Sequence, residues 1–530
     1  MSPGSFSLAE HYHERTKYDP KTLGQQSREL DWSQQPVPFK DYKIGAVIDL
    51  KPYLKSRRRN DAERSRRDRP LLQRLSWLLL CSYGLTQQVQ TLDGDRLYLR
   101  AAPSAGGLYP AELYLLSAGQ PDLPAGLYSY QSNTHTLVNF WSSDCWPQLQ
   151  RACLWHPSLE HTQLALVSTA VFWRSAWRYQ ARAYRRIFLD TGHVLGNVEL
   201  AAALNDFRPH LIGGFVDAQL NQLLYLDEAQ EGAIAVAALA DLLQVQQNLP
   251  LAQAALPSQP DPQYAGDPLG EDELLAALHQ SSSIDEALGD RLNWKPIPVL
   301  TPPGATPPIQ PPRPDPEDKY NFPFCSRFDT RCDPIHWGED LQYLPQTILQ
   351  RRSTRAYSGL DLTQAELNQL LDFTYQPEHY RLQGLPEAPD YFALDLIETF
   401  VVVSGVEGLE AGCYYYAPKA EELRQIRFKN FRPELHYLCL GQELGRDAGA
   451  VVFHTADLHK AVEIYGDRAY RYLHLDAGHL GQRLNLAAIR LGLGVSGIAG
   501  FFDDQVNEVL GIPAQEAVLY ITTLGRSRAG

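Results

Sequence analysis

At 530 residues the chain is too long for one ordinary core, so two or more domains are expected. An apolar fraction of 44% with 21% charged residues is that of a soluble globular protein, and a net charge of −14 excludes a general nucleic-acid binder, which needs a basic face. No apolar run reaches the length of a membrane span, and Met1-Ser-Pro-Gly-Ser-Phe6 has neither the charged start nor the apolar stretch of a secretory signal. The seven scattered cysteines include no Cys-x-x-Cys pair, which argues for buried, reduced thiols in a cytoplasmic protein and against structural zinc.

Residues 1–50 are polar and aromatic. His11 and His13 lie two apart, but no further ligand follows at metal-binding spacing, so the stretch reads as an ordered arm packed on the main body. The basic run Lys55–Arg69 also holds Asp61, Glu63 and Asp68 and reads as a solvated helix or loop. Leu71, Leu72, Leu75, Leu78 and Leu79 recur at helical spacing, closed by Gly84. Arg100-Ala-Ala-Pro-Ser-Ala-Gly-Gly-Leu-Tyr-Pro110 reads as a turn, because Pro103 fixes one backbone angle and Gly106-Gly107 permit angles closed to other residues. Such a turn lets backbone amides and the Ser104 hydroxyl approach a flat or anionic ligand; a plain strand connection is the alternative. Leu113–Leu116, Gly126–Tyr130 and Leu164–Phe172 read as strands, and Arg182–Leu204 as a helix ended by a loop at Gly213–Phe215.

The chain then repeats itself at an offset of 286. Arg182-Ala-Tyr-Arg185 recurs as Arg468-Ala-Tyr-Arg471, Leu189-Asp-Thr-Gly-His193 as Leu475-Asp-Ala-Gly-His479, and Gly214-Phe-Val-Asp217 as Gly500-Phe-Phe-Asp503. Leu127–Tyr130 matches Cys413–Tyr416 and Glu112 matches Glu398 in the same register. Two copies of one domain are predicted, at 51–245 and 336–530, behind an N-terminal arm at 1–50. Between them runs a linker at 246–335, with ten prolines from Pro296 to Pro316 and a short helix at Glu271–Leu278. In the second copy Leu344–Gln350 and Thr363–Leu371 read as helices, the latter with Thr363 as N-cap and Glu366 in capping-box position.

Three further stretches carry candidate chemistry. Arg351-Arg352-Ser353-Thr354-Arg355 offers forked guanidiniums and a hydroxyl suited to phosphate and ribityl oxygens, or else a solvated charge cluster. Gly492-Leu-Gly-Val-Ser-Gly-Ile-Ala-Gly500 reads as a Gly-rich loop, without the order of a dinucleotide-binding fingerprint. Tyr520–Gly525 reads as a last strand delivering Arg526. With the His13-Glu-x-Thr-Lys17 arm, Pro103–Pro110, Tyr465-Gly-Asp-Arg-Ala-Tyr-Arg471, Asp476-Ala-Gly-His479 and Gly500-Phe-Phe-Asp503, these pieces resemble the nitroreductase-like flavoproteins. They are most similar to the SagB-type branch, the dehydrogenases of azole-containing peptide biosynthesis.

The resemblance implies an α+β fold of two tandem nitroreductase-like domains, each a mixed or antiparallel sheet flanked by helices, paired within one chain as a pseudo-dimer. It implies FMN as cofactor, held where the two domains meet. Arg100, Pro103, Ser104, Ala105 and Gly106 of the first copy, and Arg351, Arg352, Ser353, Arg355, Gly497, Ala499, Gly500 and Arg526 of the second, are the expected cofactor contacts. Each copy lacks what the other keeps. The turn's counterpart at Pro389-Asp390-Tyr391 has lost its glycines and serine, Arg57–Asn60 has no Ser-x-Arg, and Asp241 stands where Arg526 does. One composite flavin site with a degraded twin is therefore expected, against the alternative that both copies have drifted and bind none.

A proton partner near the flavin is sought among Tyr465, Tyr470 and Lys460, with first-copy counterparts Tyr179 and Tyr184; packing is the plain alternative for each. His193 and His479, beside Asp190 and Asp476, read as structural pairs because both copies have them. Three functions follow: a SagB-like dehydrogenase of azoline rings in a modified peptide, with peptide-maturation partner proteins; an NAD(P)H-dependent nitro or quinone reductase of small molecules; or a flavin-free scaffold or peptide-binding module. No metal, nucleic acid or membrane is expected, and the chain is expected as a monomer or a homodimer.

Overall fold

The computed structural model describes residues 7–24, 30–57, 69–90, 96–244, 247, 249, 252–258, 269–287 and 317–528. Residues 58–68 of the basic run, with Arg58, Arg59 and Asn60, and the proline run at 296–316 lie outside the described residues. The first repeat supplies β1 (Ala46–Asp49), a hairpin of β2 (Leu85–Gln90) and β3 (Arg96–Arg100), β4 (Ala111–Ser117), β5 (Gly126–Gln131), β6 (Thr136–Trp141), β7 (Leu164–Val171), β8 (Phe207–Ile212) and β9 (Glu231–Asp241). The second supplies β10 (Arg327–Asp329), β11 (Ile397–Val403), β12 (Gly412–Ala417), β13 (Glu422–Arg427), β14 (Ala450–Asp457), β15 (Gly494–Ile498) and β16 (Glu516–Gly525).

Two seven-stranded sheets result, ordered β1-β6-β5-β4-β7-β9-β8 and β10-β13-β12-β11-β14-β16-β15. Replacing each strand of the first by its repeat partner gives the second, and every neighbouring pair in both is antiparallel. The β2–β3 hairpin stands apart as a two-stranded sheet and leads into the Arg100–Pro110 turn. Strands β4 and β9 are buried along their whole length, which is why their interiors, Leu113–Leu116 and Gly232–Ala240, read as apolar runs. The architecture is the expected α+β pseudo-dimer. Among the described residues no helix is long and apolar enough to cross a membrane.

Each repeat has one central helix of 22 residues, Ala183–Leu204 and Ala469–Arg490, buried almost throughout because a sheet covers one side and the other central helix the opposite side. The helices cross at the duplicated glycine. A Cβ on Gly192 would lie 2.1 Å from the Leu475 carbonyl oxygen, and one on Gly478 would lie 2.2 Å from that of Leu189. The glycine of the Asp-x-Gly-His motif is thus a backbone-contact residue.

The Arg-Ala-Tyr-Arg and Gly-Phe-x-Asp motifs meet across the repeats. Arg182 and Arg185 of the first hold Asp503 of the second, at 2.8 and 2.7 Å; Arg468 and Arg471 of the second hold Asp217 of the first, at 2.7 and 2.6 Å. All six side chains are buried. The arginines hold both carboxyls below the usual range although burial alone would raise them.

Each clamp is closed by a preceding helix. The arm helix Leu8–Arg15 leads to the His13 carbonyl and the Thr16 hydroxyl, which accept from Arg185 at 2.8 and 2.9 Å. In the linker, the helix Glu271–Ser281 brings the His279 carbonyl and the Ser282 hydroxyl to Arg471 at 2.7 and 2.8 Å. Parallel bridges join Tyr18 to Phe502 and Ile284 to Val216, which is Phe502 less 286. The linker helix is therefore a second copy of the arm, in a register of 266 (279 − 13 and 282 − 16). The sequence reading treats it as part of a spacer, because little more than a leucine, the His and a hydroxyl residue recur (Leu274, His279 and Ser282 for Leu8, His13 and Thr16).

The loop at Gly213–Phe215 appears as read, after the strand β8 that follows the first central helix, whereas within the expected Gly-rich loop Gly494–Ile498 forms the edge strand β15 on β16. Glycine is needed there because side chains lie flat on the strand: a Cβ on Gly497 would sit 1.8 Å from the Tyr520 hydroxyl.

Candidate active site

Where the Arg100–Pro110 turn meets the second repeat there is a cavity of about 160 Å³. The first repeat lines it with Pro103–Gly107 and with Arg186, Leu189, Asp190 and His193 of its central helix; the second adds Ser353, Arg355, Ser496, Gly497, Ala499 and Tyr520. Gly106 and Gly107 have φ of 65° and 68°, in the left-handed region. A side chain on Gly106 would also meet the Tyr179 hydroxyl at 2.8 Å.

Asp190 fastens the turn. It accepts from the Ser104 hydroxyl at 2.5 Å and from the Ala105 amide at 3.1 Å, while Ser104 Oγ accepts from the Tyr109 amide at 2.8 Å. Burial pushes the Asp190 carboxyl up to about 7, against the pull of those two donors. Arg186 stacks its guanidinium 3.7 Å over the Tyr179 ring, and its buried Nη1 has no hydrogen-bond partner among the described residues. Tyr18, from the arm, lies beside it; burial raises that hydroxyl, but Arg186 and Arg182 together bring it below the ordinary tyrosine value. The Ala499 and Gly500 amides, just past the end of β15, face no carbonyl among the described residues.

On the cavity floor the Tyr520 hydroxyl lies 2.9 Å from His193 Nε2, and His193 Nδ1 lies 2.9 Å from Gln482 Oε1. The hydrogens along this chain are set by its far end. Asn197 Nδ2 must donate to the Ser82 carbonyl at 3.2 Å, so Asn197 Oδ1 accepts from Gln482 Nε2 at 2.6 Å. Gln482 Oε1 then accepts from His193 Nδ1–H, and Nε2 accepts from Tyr520. Burial holds His193 neutral, its value lowered to about 3. Tyr520 therefore points its hydrogen at His193 and presents only lone pairs to the cavity.

The structure brings together Pro103, Ser104, Ala105, Gly106, Ser353, Arg355, Gly497 and Ala499, with Gly500 next in line beside Arg186. It places four expected arginines elsewhere. Arg100 is fully buried over the rings of Tyr83, Tyr109 and Phe39 and bonded to the Pro38 carbonyl. Arg351 lies behind the turn, donating to the carbonyls of Ala101 and Arg100 at 2.8 and 3.2 Å and so tying the repeats together. Arg352 grips Gln87 of the hairpin, and Arg526 the Glu366 carboxylate of the capping box, at 2.9 Å. Arg355 is exposed at the rim and forms no ion pair among the described residues.

Tyr465, Tyr470 and Lys460 do not line the cavity. Tyr470 is buried against Tyr12 and His13, Lys460 is exposed in the first turn of its helix, and Tyr465 lies against Tyr472. Lys460 and Tyr465 lie on the helix Leu458–Tyr465 and Tyr470 on the central helix of the second repeat, which lines the twin position through His479. The open cavity takes its helix from the first repeat, whose Tyr179 stands at the edge. The expected His–Asp pairs also divide: both aspartates hold turns, while His193 meets Tyr520 and His479 meets Glu199 at 3.0 Å.

The twin position is closed, with about 10 Å³ left. Asp476 accepts from the Phe392 and Ala393 amides, as Asp190 does from Ala105. Phe392 stacks on Tyr472 (5.4 Å, 12°) and Tyr391 on His479 (4.5 Å, 28°). Tyr472 replaces Arg186, Leu211 replaces Gly497, and the Gly213 amide is taken by the Ala254 carbonyl at 2.6 Å. Sequence reasoning missed Arg186, Asp190, His193 and Tyr520 as lining residues. The Arg186–Tyr472 mismatch beside an otherwise matched motif was the available signal.

Two antiparallel α+β repeats, crossed at paired central helices and sharing a cavity at their seam, define a tandem pseudo-dimer. The chain belongs to the nitroreductase family, whose sequence model matches residues 74–238 and 348–526, and so to a family of oxidoreductases. A nitroreductase-like protein of Anabaena variabilis, known as a crystal structure, is 60% identical with a TM-score of 0.88, over 98% of this chain and 100% of that one. A nitroreductase-like protein of Methanocaldococcus jannaschii is 32% identical over 183 residues, 34% of this chain and 90% of its own. The trifolitoxin-processing protein of Rhizobium leguminosarum bv. trifolii is 27% identical over 133 residues, 25% of this chain; the match spans 43% of that relative's length.

Proposed function

We propose that the chain is an FMN-dependent oxidoreductase with one flavin per chain, in the composite cavity, acting as a SagB-like dehydrogenase on azoline-type rings of a modified peptide. The observation that carries the reading is the contrast between one hollow seam and one filled seam. The residues present fit the cofactor. Ser353 and Arg355 at the rim suit a phosphate, and the Gly106–Gly107 turn, where a side chain on Gly106 would meet the Tyr179 hydroxyl at 2.8 Å, leaves room for a flat group. Bound FMN supplies hydride transfer. Tyr520 offers lone pairs to a donor entering the cavity and passes its own hydrogen bond to His193, so the pair holds a proton at a defined place.

The trifolitoxin-processing relative supports a peptide substrate and partner proteins of peptide maturation. A second reading, an NAD(P)H-dependent nitro or quinone reductase, is favoured by the nitroreductase-like relatives. Flavin absorbance against protein concentration after reconstitution tests the core of both. We expect one FMN per chain; two would overturn the single-site reading, and none would leave a flavin-free scaffold. NADPH oxidation with a nitroaromatic acceptor then separates the two enzymes.

A further inference from the structure

The closed twin shows what an occupant of this kind of seam looks like. Residues 252–258 of the linker cross it as an extended strap. The Ala254 carbonyl accepts from the Gly213 and Gly214 amides at 2.6 and 3.2 Å, and the Ser258 amide donates to the Tyr465 carbonyl at 3.0 Å. Between them a single hydroxyl serves both groups of one residue: Tyr472 Oη accepts from the Leu256 amide at 3.1 Å and donates to the Leu256 carbonyl at 2.8 Å.

Every protein group on that path has a counterpart 286 positions earlier or later, in the open half. Gly213 and Gly214 correspond to Ala499 and Gly500, Tyr472 to Arg186, and Tyr465 to Tyr179. The backbone repeats too: Gly466 has φ 61° and ψ −157°, and Gln180 has φ 48° and ψ −137°. In the open half this path runs from the 160 Å³ cavity past Arg186 to a second cavity of about 300 Å³, lined by Tyr18, Trp177, Tyr179, Gln180 and Arg182 among others. Tyr179 and Arg186, stacked on each other, stand between the two.

We infer that this path receives an extended polypeptide segment, with Arg186 facing a position that lacks an amide hydrogen. The inference rests on the peptide-directed reading above. A tyrosine hydroxyl both donates and accepts, whereas a guanidinium only donates. Exchanging Tyr472 for Arg186 keeps the partner for a carbonyl or ring nitrogen and removes the partner for an N–H. An azoline nitrogen, with a lone pair and no hydrogen, meets that demand. The path ends at Tyr179, because a Cβ at the Gly466 position lies 2.5 Å from the Ser258 carbonyl oxygen and Gln180 has one.

The probes are two fluorescein-labelled synthetic peptides with the strap's own sequence, residues 252–258, one of them N-methylated at the Leu256 position. Fluorescence anisotropy against the full chain should show saturable binding of both, the methylated peptide at least as tight. Arg186→Ala should weaken both at least tenfold, and Arg186→Tyr should restore a preference for the unmethylated peptide. No saturable binding, equal affinities in wild type and Arg186→Ala, or a preference for the unmethylated peptide in wild type would overturn the inference. Flavin content is read from absorbance in each sample. Flavin retained without peptide binding removes the peptide path alone; peptide binding without flavin removes the cofactor reading alone.

Discussion

The turn at Ser104–Gly107 and its counterpart at Asp390–Ala393 are held alike and filled differently. An aspartate of the central helix takes the backbone amides of each, Asp190 in one and Asp476 in the other, and burial pushes both carboxyls up to about 7. Beyond that anchor they part. Ser, Ala and two glycines leave a hollow; Tyr391 and Phe392 fill the same place, and the linker strap closes it. In a duplicated chain, what both copies share holds the scaffold, and what differs marks where a ligand fits. The Asp-x-Gly-His motif illustrates this: its aspartate and glycine do one job twice, while its histidine meets Tyr520 in one half and Glu199 in the other.

The clamps test the shared part and should give the largest effect. Asp503 and Asp217 each face two buried arginines, so Asp503→Asn and Asp217→Asn both leave guanidiniums without a counter-charge. Each should cost about 3–5 kcal/mol in thermal or urea denaturation. Losses that differ severalfold between the two variants would show that the clamps are not equivalent.

The edge strand tests the part that differs. Gly497→Ala places a methyl 1.8 Å from the Tyr520 hydroxyl, so the ring must swing and release His193. Flavin per chain should fall below half at concentrations that saturate the wild type, with about 1–3 kcal/mol lost to overpacking. The mirror change, Leu211→Gly, should leave the count at one flavin. A Gly497→Ala chain that keeps full flavin would show that Tyr520 does not shape the site.

Much of the fold was legible because periodicity and repetition are local signals. Leu344–Gln350 and the Thr363–Glu366 capping box appear as read, with Glu366 accepting from the Thr363 amide at 2.8 Å. The composite character of the cavity was also legible, since its parts are split between Pro103–Gly107 and Ser353–Arg355. What could not be read was which way long side chains turn. Arg351, Arg352 and Arg526 have the composition of an anion grip, but each finds a protein acceptor closer at hand. Nor did the sequence say which repeat's helix faces which turn. Tyr465 and Tyr470 belong to the second repeat, whereas the chain crossing at Gly192 and Gly478 brings the first repeat's helix, with Tyr179, to the open side. The edge strand β15 was hidden by its glycines, which mimic a loop until Tyr520 is seen lying on them.

The smallest and most specific test is at Ser104, whose hydroxyl is committed to Asp190. An aspartate near 7 in the fold and about 3.9 in the unfolded chain contributes stability that is fully present below pH 4 and is lost as pH rises through 7. Above that the carboxylate stays ionised and depends on its donors. Ser104→Ala removes one donor, so the folded value should rise further and the damage should grow with pH. We expect a loss of about 1.5–3 kcal/mol at pH 8 and under about 1 kcal/mol at pH 5, read from urea midpoints. Equal losses at both pH values would show that Asp190 does not titrate in this range. Flavin should be retained, because the hydroxyl points at the helix and not into the hollow, whereas Ser104→Phe should fill the cavity and exclude flavin, as Tyr391 and Phe392 fill the twin. A flavin lost equally in both variants would instead assign the hydroxyl itself to the cofactor.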